Sequence, residues 1–276
     1  ACTIYRFDRS NNELYRYLPK QAEDDIFMGR FSPVSNRISF CIVPYVSGKK
    51  YDYENAQIAV MNQDGSGYRV VTSTPGVKTR AVFSYDERKL AFFKSHMSHN
   101  GSPLRKQKSK SVGYDLYVLN LKSGQETRLT SYEFYEAGAP YFTSDSKKIL
   151  YTGYGPMRLP NGGEAGKYRD EYKDKYKGNI IFMTPIDGSE MDKELAPYFI
   201  YSHGSEMAVL MRDGSIIFKG IEGVQQYIHY FSRSPDGMLT KIKYEDLGEG
   251  QVYGMNATPD GRHIAVLNSN RDTRQR

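Results

Sequence analysis

Three kinds of residue in this sequence could do chemistry: two closely spaced histidines, several Asp-Gly pairs and one serine between glycines. His96 and His99 lie three positions apart in a polar segment, a spacing that can hold a metal ion when the segment is ordered. Paired histidines in such a segment are more often solvated, so we predict no metal site. The string Gly65-Ser66-Gly67 falls in a hairpin turn, not in the strand-to-helix elbow of a serine hydrolase.

Three turns with an Asp-Gly pair raise the question of calcium; they contain Asp64-Gly65, Asp187-Gly188 and Asp236-Gly237. A calcium loop of the EF-hand type needs carboxylates at alternate positions and a terminal glutamate, which none of these segments has. Tight β-hairpin turns, in contrast, prefer this pair. The sequence also lacks His-Glu-x-x-His, Cys-x-x-Cys and phosphate-loop motifs. We therefore predict no catalytic residue and no cofactor, although a site gathered from separate repeats stays open.

The composition is that of an all-β protein. The 276 residues include 24 tyrosines and 13 phenylalanines, and no long segment repeats apolar residues at helical spacing. No apolar run reaches the ~18 residues of a membrane-spanning helix. The net charge of +6 is modest and lies mainly in two predicted loops, so we expect a solvated basic surface and no nucleic-acid partner.

One pattern recurs five times along the chain. It begins with an aromatic or apolar residue followed by a small polar one, continues through a turn and a polar pair, and ends in an apolar strand. Each copy predicts two antiparallel strands joined by a tight turn, in which Pro, Asp, Asn and Gly supply the backbone angles. The copies are residues 31–40, 83–92, 142–151, 211–218 (shortened) and 257–266.

A second predicted hairpin follows the first in most copies, and two hairpins make a four-stranded antiparallel sheet. Such a sheet has two apolar faces and becomes stable when copies stack on one another, as in a propeller. The predicted fold class is therefore all-β, a β-propeller of four-stranded antiparallel blades in one domain, residues 1–276. The predicted blades are residues 26–73, 74–131, 132–199 and 200–247.

The repeat resembles that of TolB-like β-propellers, which is related to the WD repeat and carries a Ser-Pro-Asp-Gly turn before an apolar strand. Residues 31–40 and 58–72 show its two halves, and residues 234–237 and 258–261 match its turn. The family includes the periplasmic Tol-system protein, which binds protein partners, as well as lipoprotein-borne propellers and propeller domains of peptidases. No segment resembles the helical N-terminal domain of the Tol-system protein, so we do not expect the chain to be that protein.

Each end of the chain predicts half a blade. Residues 1–20 resemble two outer strands of a closing blade, and residues 248–276 resemble two inner strands of the last blade. If these hairpins share one blade, the propeller has five blades; if further chain follows Arg276, it has six or more. The resemblance favours six.

Two insertions and a predicted central channel are the candidate binding surfaces. Residues 95–113 are polar and basic, and residues 154–178 carry Tyr168, Tyr172 and Tyr176, whose spacing would place the three rings on one helix face. Both insertions precede the third strand of a blade, so they should project from the same face, and tyrosines suit protein or glycan surfaces. The alternative is a solvated flap packed on the propeller. The residues expected near the channel axis are Arg30, Arg80, Glu136, Glu206 and Tyr253.

The two cysteines are relevant to where in the cell the protein lies. Cys41 lies in an apolar strand pattern and is predicted to be a small buried residue. Cys2 lies near the N-terminus, where bacterial lipoproteins carry their lipid, and we expect membrane attachment only through such a lipid. The alternative is that Cys2 forms a disulfide with Cys41.

The function expected from these features is that of a non-catalytic propeller of the bacterial cell envelope, periplasmic or anchored to the outer membrane. It would bind a protein or peptide through one face or through the channel. The alternatives are a hydrolase or lyase acting on envelope glycans, with a site assembled from several blades, and the propeller domain of a larger peptidase.

Overall fold

In a computed structural model, the regular secondary structure of the described residues consists of antiparallel strands and one 3-10 turn. Among the described residues, no helix has the length and apolar character needed to cross a membrane. The chain divides into two compact units, residues 1–135 and residues 136–276. The described residues are 4–8, 10–17, 25–46, 50–95, 113–131, 133–134, 136–154, 180–187, 193–194, 208–222, 227–242, 251–258 and 260–269.

The first unit begins with a hairpin and continues with two four-stranded sheets. The hairpin pairs β1 (Ile4–Asp8) with β2 (Glu13–Tyr17). The first sheet has the order β3-β4-β7-β8, with a small hairpin of β5 and β6 and a 3-10 turn (Tyr53–Asn55) inserted before β7. The bounds are β3 (Asp25–Phe31), β4 (Arg37–Val43), β5 (Tyr45–Val46), β6 (Lys50–Tyr51), β7 (Gln57–Asn62) and β8 (Arg69–Val70). The second sheet consists of β9 (Lys78–Phe83), β10 (Lys89–Ser95), β11 (Tyr114–Asn120) and β12 (Glu126–Arg128).

The second unit repeats this plan. Its first sheet consists of β13 (Glu136–Phe142), β14 (Lys148–Tyr154), β15 (Ile180–Pro185) and β16 (Lys193–Glu194). Its second sheet consists of β17 (Ala208–Leu210), β18 (Ile216–Glu222), β19 (Tyr227–Arg233) and β20 (Leu239–Ile242), and β21 (Gln251–Ala257) pairs with β22 (Ile264–Ser269). Four-stranded antiparallel sheets are therefore confirmed, whereas the single domain and the number of blades stay predictions.

The recurring turn between the first two strands owes its shape to a hydroxyl and a carboxylate. In three copies the Ser or Thr hydroxyl donates to the Asp two residues later, over 2.6 Å. The same hydroxyl accepts the N–H of the residue five positions later, over 3.0 Å; the pairs are Ser84–Asp86, Thr143–Asp145 and Thr258–Asp260. The hydrogen bond from Thr143 lowers the pKa of Asp145 below its ordinary value. These carboxylates hold their own turns, as expected of Ser/Thr and Asp residues at such positions.

The first copy of this turn takes its acceptor from the neighbouring sheet. Val34 occupies the Asp position, and the Ser32 hydroxyl donates instead to Glu87, over 2.5 Å. Ser35 also donates to Glu87, and Arg37 lies 3.6 Å from its other oxygen. Partial burial acts to raise the pKa of Glu87, but the hydrogen bonds from Ser32 and Ser35 outweigh it and hold that pKa below its ordinary value. The two sheets are thus joined at their turns by a charge-assisted network.

The apolar faces of neighbouring sheets pack against each other. Between the two sheets of the first unit lies a core that includes Cys41, Val60, Phe83, Leu90 and Phe92, each almost or entirely buried. Cys41 is a free thiol, and burial raises its pKa to about 12, so the prediction of a small buried residue is confirmed. Cys2 lies outside the described residues. In the second unit, Leu150, Phe218 and Phe231 belong to an equivalent core.

Candidate functional site

An extra residue interrupts the first strand in four of the described sheets. The register shifts in β3 between Phe27 and Arg30, in β9 opposite Ala91 and Phe93, in β13 between Gly138 and Tyr141, and in β21 between Val252 and Gly254. First strands also form contacts between neighbouring sheets, since β3 lies against β9 in the first unit and β17 against β13 and β21 in the second. A β-bulge changes the direction in which the side chains of its own strand point.

The residues predicted to line a channel lie on these first strands, apart from Glu206, which is outside the described residues. Arg80 lies within the β9 bulge, Tyr253 is the interrupting residue of β21, and Arg30 is the first paired residue after the β3 bulge. Glu136 opens β13 opposite Tyr154, outside the bulge. Arg30 and Arg80 are partly buried. That these residues line a common channel stays a prediction.

The residue equivalent to Arg80 is Met28, which sequence reasoning missed. Each lies three positions before the aromatic residue that opens its repeat, Phe83 or Phe31, and each has a left-handed backbone, with φ of 59° and 57°. Counting back from that aromatic residue would have found Met28. A left-handed non-glycine residue is uncommon, and such strain costs about 1–3 kcal/mol. Two neighbouring first strands therefore keep a side chain at a position where glycine would relax the backbone.

Two residues of β4, Ser39 and Cys41, interact with the backbone at the bulges of β3 and β9. The Ser39 hydroxyl donates to the carbonyl of Ala81 over 2.8 Å and lies 3.4 Å from that of Arg30. Burial raises the pKa of Cys41, and the backbone N–H groups of Arg80 and Ala81 act to lower it, so these groups of the β9 bulge interact with the sulfur. In the second unit, Thr152 occupies the position of Cys41, and its hydroxyl donates to the carbonyl of Gly138 in its own sheet, over 2.9 Å. The bulges are therefore fixed parts of the structure.

A buried polar cluster, consisting of Thr74, Lys78, Lys94 and Glu126, caps the core between the sheets of the first unit. Lys94 Nζ lies 3.0 Å from a carboxylate oxygen of Glu126 and 2.7 Å from the Thr74 hydroxyl, which also donates to that carboxylate over 2.7 Å. Lys78 is fully buried and donates to the carbonyl of Ala56, over 3.1 Å, and to that of Thr74. Its donors are satisfied within the fold, which marks the cluster as structural.

Burial lowers the pKa of Lys78 to about 8, although the Glu126 carboxylate acts to raise it. Since the ordinary value is 10.5, the unfolded chain holds a proton at Lys78 between about pH 8 and 10.5 that the folded chain has released. We therefore expect the contribution of Lys78 to the free energy of unfolding to rise with pH across this window. Below about pH 8 both states are protonated and the dependence disappears.

The measurement is denaturant unfolding of the wild type and of Lys78→Met at several pH values, with the difference between their free energies plotted against pH. Cys41 and Tyr117, whose pKa values burial raises to about 12, act in the opposite sense at high pH. They are present in both proteins, so their effects cancel in the difference, apart from the direct interaction between Lys78 and Cys41. A difference that stays constant across the window contradicts this prediction.

The predicted insertions lie almost entirely outside the described residues, as do Tyr168, Tyr172, Tyr176, His96 and His99. In the first sheet, however, the connection before the third strand is described apart from residues 47–49, and it carries Tyr45, Tyr51 and Tyr53. Sequence reasoning did not single out these residues, although three tyrosines within nine positions were visible. Within the described ranges, no three His, Cys, Asp or Glu residues are grouped so that they could hold a metal ion.

Solved structures of known proteins share this architecture, whereas no protein-family model and no curated protein sequence matches the chain. TolB from Acinetobacter baumannii aligns at 15% identity with a TM-score of 0.58, over 96% of this chain and 57% of that one. An oligogalacturonate lyase in complex with manganese aligns at 14% identity with a TM-score of 0.63, over 96% and 64%. The β-propeller domain of the trilobed protease from Pyrococcus furiosus, which has an open velcro topology, aligns at 15% identity with a TM-score of 0.52, over 89% and 64%.

This chain thus spans between half and two thirds of the length of these three structures. At such low identity the likeness concerns the fold, which hosts many activities. The family resemblance predicted from the repeat is confirmed at this level, since the similar structures are TolB-like propellers and propellers of enzymes. The chain has the β-propeller fold of TolB-like proteins.

Proposed function

We propose that this chain is a non-catalytic propeller that binds a protein or peptide partner through the first strands of its blades. The observation that carries the proposal is the pair of left-handed residues, Met28 and Arg80, on adjacent first strands. Backbone strain persists where the surrounding structure enforces it, and it clusters at ligand-binding sites. Here the strain keeps a thioether and a guanidinium where glycine would fit better.

The chemistry of this surface suits a peptide. A guanidinium forms strong, directional hydrogen bonds with a carboxylate, such as an acidic side chain or a chain terminus. Methionine adapts its unbranched side chain to varied apolar partners, and Met28 is 39% exposed. Arg30 adds a second cation on the same strand as Met28. We therefore infer a partner segment that combines a carboxylate with apolar side chains.

We place this activity in the bacterial cell envelope, with the chain either periplasmic or anchored to the outer membrane through a lipid on Cys2. The TolB structure among its neighbours supports that placement by analogy of fold. The lyase and protease propellers among the neighbours support a second candidate, an envelope glycan-active enzyme or the propeller of a larger peptidase. A glycan would then be the ligand.

The test replaces Arg80 by glycine, which removes the side chain and relaxes the backbone. We expect Arg80→Gly to recover its partner from envelope extract about tenfold less well than the wild type, a loss of about 1.4 kcal/mol of binding. Its unfolding midpoint should stay equal or rise, since glycine accepts φ > 0 without steric cost. The matched control is Asn12→Gly, because Asn12 has a φ of 57° and is exposed in the β1–β2 turn.

The control should recover the partner as the wild type does. Equal recovery by Arg80→Gly, or no specific recovery by the wild type, would overturn the proposal. Cleavage of envelope glycan or oligogalacturonate by the purified chain would replace it with the enzymatic candidate.

A further inference from the structure

Glu87 has a left-handed backbone at a turn position where the last copy of the repeat has glycine. Its φ is 52°, and Gly261, at the same position of the last turn, has a φ of 66°. A left-handed residue other than glycine is uncommon, and it persists where the surrounding structure enforces it. At Glu87 the strained residue carries a charged side chain that leaves its own turn.

The Glu87 carboxylate reaches the β3–β4 turn of the preceding sheet. Ser32 donates to its Oε1 over 2.5 Å, Ser35 donates to the same oxygen, and Arg37 lies 3.6 Å from Oε2. Arg37 also covers the ring of Phe83, with its guanidinium carbon 4.6 Å from the ring centroid. Two hydroxyls and one cation of the first sheet therefore meet one carboxylate of the second sheet.

The charged neighbours of Glu87 in its own turn have a different role. The Asp86 carboxylate accepts from the Ser84 hydroxyl over 2.6 Å and from the Arg88 N–H over 3.0 Å. Lys89 lies 3.8 Å from the other oxygen of Asp86. Asp86 therefore stabilises its own turn, and Glu87 is the carboxylate of this turn that joins the two sheets.

Protonation of Glu87 would weaken this contact. Hydrogen bonds to a charged acceptor are about twice as strong as neutral ones, and the ion pair with Arg37 requires the negative charge. Partial burial acts to raise the pKa of Glu87, but the hydrogen bonds from Ser32 and Ser35 hold it below its ordinary value of 4.5. The stabilisation is therefore complete above about pH 4.5 and is lost as the pH falls through the lower pKa of the folded chain.

We propose that Glu87 is an acid-sensitive clamp, which joins the first two sheets while its carboxylate is charged and lets their turn ends separate when it is protonated. At the opposite end of β9, Lys78 still joins the same sheets through the carbonyl of Ala56, so the opening is local and the chain stays folded. Because β3 and β9 carry Met28 and Arg80, acid would also release a partner bound there. This last consequence rests on the proposed function, whereas the clamp itself does not.

The Cys41 thiol reports the opening. It is fully buried in the core between the two sheets, and Cys2→Ser leaves it as the single thiol of the chain. The probe is 4,4′-dithiodipyridine, which reacts with accessible thiols even in acid, and its rate with glutathione at each pH corrects for intrinsic reactivity. We expect the corrected labelling rate to rise about tenfold from about pH 6 to about pH 3.5, because a buried thiol reacts from the open state. Circular dichroism at both pH values shows that the chain stays folded.

Two variants and one control, all made with Cys2→Ser, assign the effect to Glu87. Glu87→Gln keeps the size of the side chain without its charge, so it should label about tenfold faster than the parent at about pH 6 and equally fast at about pH 3.5. The double variant Ser32→Ala, Ser35→Ala removes both donors and should also label faster at about pH 6. The control is Asp145→Asn, whose carboxylate also has a lowered pKa but accepts from Thr143 in its own turn of the second unit, and it should behave as the parent does.

The clamp is contradicted if labelling of the folded parent does not accelerate in acid, or if Glu87→Gln accelerates in acid as much as the parent does. If Glu87→Gln fails to fold, the serine variant decides, and a parental rate at about pH 6 then contradicts the clamp. None of these measurements involves a partner, so failure of the clamp and failure of the proposed function are distinguishable.

Discussion

Replacing Glu126 by alanine is expected to lower the free energy of unfolding by about 3–5 kcal/mol, because it leaves a buried cation without its anion. The side chains of Lys94 and Glu126 are only 11% and 8% exposed, and their charged atoms lie 3.0 Å apart. Thr74 would lose its acceptor as well. Lys78 would lose the carboxylate that supports its protonated form. Chemical denaturation at pH 7 measures the change.

A double variant separates the ion pair from simple packing. Lys94→Met combined with Glu126→Leu replaces both charges by apolar groups of similar size, so it should recover most of the lost stability. Glu13→Ala removes an exposed carboxylate from the same unit and should change stability by less than about 0.5 kcal/mol. The expectation fails if Glu126→Ala unfolds like the wild type, or if the double variant is no more stable than the single one.

Replacing Phe83 by alanine is expected to lower the free energy of unfolding by about 3–5 kcal/mol through loss of buried apolar contacts and the cavity left behind. Phe83 is only 3% exposed, belongs to the core between the two sheets of the first unit, and carries the guanidinium of Arg37 4.6 Å above its ring. The same position of the preceding sheet is Phe31, which pairs with Ile38 as Phe83 pairs with Leu90.

Phe31 provides the matched control because it is 49% exposed. Phe31→Ala removes the same atoms from the same repeat position, but the ring is already in contact with water, so the loss should stay within about 1 kcal/mol. Denaturant unfolding midpoints of the two variants give the comparison. Similar losses in both would show that repeat position, and not burial, sets the effect.

The repeat made the four-stranded sheets predictable, because a short local sequence pattern marks each hairpin. Thr258 and Asp260 carry the hydrogen bonds of their own turn, so six consecutive residues contain both the sequence pattern and the hydrogen bonds that explain it. The buried strand after each turn, such as Lys89–Ser95, can also be predicted from its run of apolar residues. Fold class depended on such local signals, repeated along the chain.

The candidate site depended on register, which is not local. The bulge that places Arg80 becomes defined only when β9 pairs with β10, and the equivalent position of β3 is Met28, which was not among the predicted channel residues. Tyr45 and Tyr51 meet only because β5 pairs with β6. Contacts of this kind require the three-dimensional structure.

The acceptor that Glu87 supplies to Ser32 and Ser35 has a consequence for biosynthesis. The donors precede it by 55 and 52 residues, so a nascent chain that has exposed only the first sheet holds a turn without its anionic acceptor. The turn can complete its hydrogen bonds only after residue 87 has left the ribosome. We therefore expect the first sheet to gain its full stability only after the first turn of the second sheet has been synthesised.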